Sequence, residues 1–236
     1  MAITYVGAGA VGAANSGSTF TVTGPTSQEG DLLVCLAMST LVGGPSAVTL
    51  DGTWNTGANI MVGANRRAQL LWKIGTLAES AFAWTATKQT GTTESHAIVL
   101  AFRGANPSAP IDAVGFVTKA SAAAEETVTA NAIDPIGTDV HMVYAALYFQ
   151  DQTDFTTPPT GTNPTFTLRA DAEGATGVGA TFAVASGDND GAGVTPASWA
   201  SNSVTDGFWA SIVFALDASY SFSAGAAASR FYLRRR

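Results

Sequence analysis

The chain has 236 residues, of which 46% are hydrophobic and only 12% are charged, with a formal net charge of −7. The hydrophobic share is enough for a substantial core, whereas the charged share is about half of the roughly 25% found in typical domains. An acidic chain with no basic face disfavours a nucleic-acid partner, because phosphate binding needs clustered basic residues.

The sequence also lacks the segments that direct a chain into or across a membrane. No stretch reaches the roughly 20 apolar residues that span a bilayer, and Met1 is not followed by a basic region and a long apolar run. We therefore expect no membrane span and synthesis in a cytoplasm. The single cysteine, Cys35, lies within an apolar run and is expected to be a small buried side chain.

The first half of the chain predicts a set of short β-strands separated by turn residues. Apolar runs or alternating patterns with Gly, Pro or Thr between them are typical of strands and favour very little helix. In residues 68–74, the alternation predicts a half-exposed strand. The predicted strands cover residues 3–6, 19–23, 30–38, 68–74, 82–87 and 95–103.

A linking region is predicted over residues 110–135, with one short helical turn over 120–126. A second set of strands follows it. These predicted strands cover residues 139–149, 165–169, 179–185 and 207–216, with a Pro-, Thr- and Gly-rich loop over 150–163 between the first two.

Parts of the first set recur in the second. The turn, aspartate and apolar run of residues 30–38 return at 138–146, residues 98–102 return at 212–216, and 70–75 return more loosely at 182–187. The offsets of 108, 112 and 114 residues preserve order and spacing. We predict one all-β body over residues 1–229, a jelly-roll-type β-sandwich with a weak internal duplication (about 1–113 and 137–217).

A GxGxxG pattern, Gly7 to Gly12, follows the first strand and resembles the start of a dinucleotide-binding unit. That unit requires a helix after the third glycine, and the sequence instead leads into the strand at 19–23. We therefore expect no bound cofactor, and interpret the glycines as a flexible connection at a sheet edge.

Other candidate sites are sparse. Asp188 and Asp190 lie in a Gly-Asp-Asn-Asp-Gly segment that resembles part of a calcium loop but lacks the distal glutamate, so a polar turn is favoured. His96 and His141 stand near the starts of apolar runs, where a role at the rim or in the core is favoured over catalysis. No nucleophile motif or metal-ligand spacing accompanies them, and we expect no catalytic residue.

Five tryptophans occur in the chain, and most are expected in the core. Trp54 and Trp199 lie in or near predicted loops, which makes them the candidates for a platform on which a sugar ring stacks.

The sequence resembles a group of jelly-roll proteins of tailed phages and prophages that form tail-associated, fibre or head-surface components. The resemblance covers residues 1–113 well and the second half only through the internal repeat. It rests on Glu29-Gly30-Asp31-Leu32-Leu33-Val34, Trp72, Phe82-Ala83-Trp84-Thr85, Ala101-Phe102-Arg103-Gly104-Ala105 and Ala109-Pro110-Ile111-Asp112. It implies a virion location and no catalytic residue.

The last seven residues contrast with the acidic segment before them. Residues 120–229 hold 12 acidic side chains and one basic one, whereas residues 230–236 hold four arginines. Such a basic tail favours an acidic partner, either the second half of the chain or a neighbouring copy. The predicted partner-binding residues are Arg230, Phe231, Tyr232, Leu233, Arg234, Arg235 and Arg236.

These features favour a non-enzymatic virion structural protein that is displayed on the particle, binds other virion proteins and forms a homo-oligomer. The alternative is a carbohydrate-binding module that recognises a host-surface glycan through loop aromatics and a calcium ion. A hydrolase would need two acids facing across a cleft, which spacing alone does not show.

Overall fold

A computed structural model describes residues 2–14, 17–41, 43–76, 82–90, 94–120, 127–136, 140–149, 155, 157–159, 164–173, 181–189, 199–200 and 208–218. These residues form strands and no helix, so none of them belongs to a helix able to cross a bilayer. The strands are β1 (Thr4–Ala8), β2 (Gly12–Ala14), β3 (Thr19–Thr23), β4 (Leu32–Thr40), β5 (Thr49–Leu50), β6 (Asn55–Val62), β7 (Arg66–Ile74), β8 (Ala83–Thr87), β9 (Glu94–Arg103), β10 (Ile111–Ala120), β11 (Thr127–Val128), β12 (Val140–Tyr148), β13 (Thr167–Glu173), β14 (Thr181–Asn189), β15 (Trp199–Ala200) and β16 (Phe208–Asp217).

Two large antiparallel sheets form the centre of the molecule. The N sheet has the order β1-β9-β4-β7-β6, with β2 also paired to β9, and the C sheet has the order β10-β16-β12-β14-β13. The repeated segments of the sequence occupy matching positions, because β4, β7 and β9 correspond to β12, β14 and β16. The internal duplication is therefore visible in the topology of the two sheets.

The two large sheets pack face to face, and a smaller sheet covers the outer side of each. The inner core between them holds Leu36 and Leu100 of the N sheet beside Val143 and Phe214 of the C sheet. A small sheet of order β3-β8-β5 lies on the N sheet, and the β11-β15 pair lies on the C sheet. The prediction of an all-β sandwich is confirmed, while the jelly-roll topology stays a prediction.

The contacts between the large sheets follow the same duplication. Strand β6 of the N sheet contacts β10 of the C sheet, and β1 contacts β13. In the strand order of the two sheets, β6 corresponds to β13 and β10 corresponds to β1. The two contacts are therefore equivalent, as expected for halves related by an approximate two-fold axis.

Burial on both faces explains why the central strands are nearly continuous apolar runs. In β4, residues 32, 34, 36 and 38 face the inner core and 33, 35 and 37 face the small outer sheet. The same alternation occurs in β12. The predicted burial of Cys35 is confirmed, and burial raises the pKa of its thiol.

Two predictions about the connections were wrong. The stretch between the predicted strands 30–38 and 68–74 was expected to be a long connection but includes β5 and the edge strand β6, and the predicted linking region 110–135 begins with β10. The predicted helical turn over 120–126 falls outside the described residues except for Ala120, which ends β10. Glycines within both strands hide them in the sequence: Gly57 packs against Leu70, and Gly115 packs against Ile133.

The strand over residues 68–74 was also predicted incorrectly in one respect. It lies in β7, and its alternation places Leu70 toward the inner core and Leu71 toward the outer sheet, as expected. The outer face is not exposed at Gln69 and Leu71, however, because the small sheet covers them.

Candidate functional site

A cleft opens where the small outer sheet ends over the N sheet. Its floor is formed by β6 and β7, and its wall by β5 and the segment that follows β5. The volume is ≈ 290 Å³. The lining residues are Ala47, Val48, Thr49, Leu50, Gly52, Trp54, Thr56, Asn59, Gln69 and Leu71.

Trp54, one of the two predicted platform residues, forms part of this wall and is partly exposed. Its ring packs edge-to-face against buried Trp84, with the ring centroids 5.5 Å apart. The indole N–H donates a hydrogen bond of 3.2 Å to the carbonyl oxygen of Asp51, and Nζ of Lys73 lies 5.5 Å from the ring centroid. These contacts hold the ring in one orientation before any ligand arrives.

The polar floor is held by two amide side chains. The Oε1 of buried Gln69 accepts a hydrogen bond from the backbone N–H of Val48 at 2.6 Å, and its Nε2 donates to the Val48 carbonyl at 3.3 Å. Only one orientation of the amide satisfies both bonds, which fixes the position of β5 above β7. Exposed Asn59 accepts a hydrogen bond from Arg67 through its Oδ1, which leaves the amide NH₂ as a donor.

Trp199, the other predicted platform residue, is fully buried. Its ring packs edge-to-face on Tyr144 and Phe155, and its indole N–H donates to the Thr157 carbonyl at 2.6 Å. No ring face is open to a ligand, so the expectation that Trp199 contributes to a sugar platform is corrected. It is a core residue beneath the outer side of the C sheet.

One of the two predicted calcium candidates, Asp188, lies within the described residues. Asp188 lies on β14, and its exposed carboxylate contacts Nδ1 of His141 at 2.7 Å. Asp190 lies outside the described residues. Within the part of the chain that the structure describes, no three His, Cys, Asp or Glu side chains form a group suited to a metal ion.

Both histidines are buried, as predicted. Burial lowers the pKa of His141, although the hydrogen bond that its Nδ1 makes to the Asp188 carboxylate opposes this shift. Burial, together with the nearby cation of Lys88, lowers the pKa of His96 to about 4, and neither ring nitrogen has a hydrogen-bond partner. Burial therefore disfavours the charged form of both side chains.

The GxGxxG glycines lie in an all-β environment. Strands β2 and β3 follow them in place of the helix that dinucleotide binding requires. A Cβ on Gly9 would lie 1.8 Å from the Thr23 carbonyl oxygen, and one on Gly12 would lie 2.2 Å from that of Thr21. The interpretation of these two glycines as a flexible connection was therefore incomplete, because close backbone packing against β3 requires them.

Some of the residues on which the expected resemblance to phage proteins rests form a clamp at one end of the N sheet. Asp31, at the start of β4, is buried and binds Arg103, at the end of β9, through two hydrogen bonds of 2.9 Å each. The same carboxylate accepts the backbone N–H of Gln28 at 2.8 Å. Gly30 and Gly104 both have φ of 86°, a conformation that favours glycine.

The basic tail, Arg230 to Arg236, lies outside the described residues, so its role stays a prediction. Comparison with known proteins found no match to a family model, to a curated protein or to a solved structure.

Sequence reasoning identified Trp54 but missed Thr56, Asn59 and Gln69. These residues lie on two strands of which one, β6, was assigned to a connection. Only the register that pairs Asn59 with Gln69 places them on one surface. An Asn-rich segment ending in Ile60-Met61-Val62, close before the well-predicted β7, was the available indication of an edge strand.

Proposed function

We propose that the chain is a non-enzymatic structural subunit of a tailed-phage particle, displayed on the head or tail surface and bound to neighbouring virion proteins. The observation that supports the proposal is the place of the resemblance residues in the fold. Asp31 and Arg103 join two central strands, and Gly30 and Gly104 make the turns beside them. Part of the resemblance therefore coincides with a structural unit, as expected for proteins that share a scaffold.

The architecture fits this role. Two duplicated halves share one inner core, so the chain presents a rigid four-layered body with few charged residues. Low surface charge reduces the solubility of a free monomer and favours contact with other subunits. In this proposal the sandwich has jelly-roll topology, and the particle forms in the host cytoplasm.

The direct test is to purify particles of the phage that encodes the chain and to measure its copy number by quantitative mass spectrometry. Immunogold labelling of the same particles then separates a head location from a tail location. We expect a fixed number of copies per particle and label at one location. A chain that is abundant in the lysate but absent from purified particles would overturn the proposal.

A further inference from the structure

We propose that the cleft beside Trp54 binds a neutral pyranose sugar. The inference does not depend on a virion location, because it rests on the cleft alone and is tested with the isolated protein. A site for a neutral sugar requires an aromatic surface, polar groups at its rim and an uncharged lining, and the cleft has all three.

The aromatic requirement is met by Trp54. A pyranose ring presents C–H groups on one face and hydroxyls around its edge, so it is recognised by an aromatic side chain together with polar neighbours. Contacts with Trp84 and with the Asp51 carbonyl fix the indole in advance. A fixed ring loses little conformational entropy on binding, which favours affinity for a small ligand.

The polar requirement is met by side chains of both the wall and the floor of the cleft. Thr49 on β5 and Thr56 and Asn59 on β6 are exposed, and hydroxyl and amide groups can both donate to and accept from sugar hydroxyls. Arg67 holds Asn59 in place, since its guanidinium also donates to the carbonyl of Pro45 at 2.8 Å. The amide of Asn59 is therefore held in position before a ligand binds.

Size and charge narrow the ligand class. The ≈ 290 Å³ cleft lies at the lower end of the range of small-molecule sites, about 300 to 1,000 Å³, which suits one or two sugar rings. None of the described lining residues is charged. Two cations adjoin the lining residues, because Nζ of Lys73 lies 5.5 Å from the Trp54 ring centroid and Arg67 donates to Asn59. An uncharged sugar needs no charged partner within the lining.

The test uses saturation-transfer difference NMR on the purified full-length chain. The probes are the methyl glycosides of glucose, galactose and N-acetylglucosamine. A ligand of this size is expected to bind with a dissociation constant of about 1 mM. We expect saturation transfer to at least one probe, strongest at the ring C–H protons that contact Trp54.

Three variants test whether the cleft is responsible. Trp54→Ala removes the aromatic surface, and Thr56→Trp fills the cleft from an exposed floor position without altering the core. Phe82→Ala is the matched control, because Phe82 is an exposed aromatic residue on the other side of Trp84, outside the lining. We expect affinity to fall about tenfold or more in the first two variants and to stay unchanged in the control.

Two results would overturn the proposal. One is the absence of saturation transfer to all three glycosides with the folded wild-type chain. The other is binding that survives Thr56→Trp, because a filled cleft cannot hold the ligand. If Trp54→Ala does not fold, Thr56→Trp and Asn59→Ala decide the question by themselves, since both positions are exposed.

Discussion

The imidazole of His96 is buried at the start of β9, where neither ring nitrogen finds a hydrogen-bond partner. Its pKa is about 4 in the folded protein and close to 6.5 in an unfolded chain. As pH falls from 6.5 toward 4, the unfolded chain takes up a proton at this site and the folded protein does not. Stability is therefore full above pH 6.5 and decreases through this window, by on the order of 3 kcal/mol.

This prediction is checked by measuring urea unfolding midpoints from pH 7 to pH 4 for the wild type and for His96→Leu. We expect the variant to lose less stability over this range, because it no longer carries the titrating group. Lys88→Met removes the nearby cation and should raise the pKa of His96 in the folded protein. The loss of stability as the pH falls should then end at a higher pH than in the wild type. Equal pH dependence in the wild type and His96→Leu would contradict the prediction.

The clamp at the end of the N sheet gives a second prediction for single residues. Asp31 is buried and accepts three hydrogen bonds, whereas the Arg103 side chain is 47% exposed and water can replace it in part. Asp31→Ala should reduce the free energy of unfolding by about 1–3 kcal/mol, because it leaves the Gln28 N–H without its acceptor. Arg103→Ala should cost less than Asp31→Ala.

The matched control for this pair is Glu29→Ala, which removes an exposed carboxylate from the same turn and should change stability by no more than about 0.5 kcal/mol. Urea unfolding of the three variants establishes the order. A larger loss for Arg103→Ala than for Asp31→Ala would mean that the guanidinium, not the buried carboxylate, holds the turn.

At the scale of elements, the central strands could be predicted from the sequence, whereas the edge strands β6 and β10 could not. Strands β4, β9, β12 and β16 are buried on both faces, so their apolar runs are long enough to be identified. Strand β6 is an edge strand whose outer face is partly polar, and β10 is only partly buried along its length. Neither carries a continuous apolar run.

The candidate site was predictable only as far as one residue. Trp54 could be found because it lies between predicted strands, whereas Gln69 and Asn59 become neighbours through the register of β6 on β7. Trp199 illustrates the opposite error: a tryptophan near predicted loops is buried when a short strand, β15, packs over the outer face of a sheet. The position of a residue in the sequence does not show whether another strand packs over that face of the sheet.

The glycines beside β3 yield a prediction for the contact between elements. A Cβ on Gly12 would lie 2.2 Å from the Thr21 carbonyl oxygen and 3.0 Å from a Val22 methyl group, so β2 would have to move away from β3. Gly12→Ala should lower the free energy of unfolding by about 1–3 kcal/mol. Thermal and urea unfolding both measure this loss.

The Gly17→Ala variant serves as a control that distinguishes the steric clash expected in Gly12→Ala from the effect of backbone strain. Gly17 has φ of 75°, but a Cβ there would meet no atom within 4 Å. Its substitution should cost about 1 kcal/mol through strain alone. If Gly12→Ala proves as mild as Gly17→Ala, the close approach of β2 and β3 is not a constraint on the fold.

On the scale of the whole molecule, the duplicated halves depend on each other. Each large sheet places an apolar face in the inner core, so a separated half would expose residues such as Leu100 or Phe214 to water. Fragments 1–109 and 110–236 should each aggregate or self-associate when produced alone. Produced together, they should purify as a one-to-one complex, because the inner core can form between them.

Size-exclusion chromatography with light scattering checks this prediction. A stable monomeric fragment 1–109 would contradict it and would show that the first half is an independent domain. The approximate two-fold relation makes a homodimer of fragment 1–109 the alternative expected form of self-association, since each half already packs against a similar sheet.

The basic tail provides the last prediction at this scale. Residues 230–236 carry four arginines and follow a segment with 12 acidic side chains and one basic one, so charge attraction to the second half of the chain or to a neighbouring copy is expected. Deleting them should leave the unfolding midpoint of the sandwich unchanged and lower the molar mass of the assembly in light scattering.

Replacing only the four arginines by glutamine separates charge from apolar contact, because Phe231, Tyr232 and Leu233 remain. If ion pairs anchor the tail, this variant should behave like the deletion, and salt should weaken the wild-type assembly. An unchanged molar mass in both variants would show that self-association does not involve the tail. The acidic partner would then be the second half of the same chain or a different protein, and a different protein would form a salt-sensitive complex with the full-length chain only.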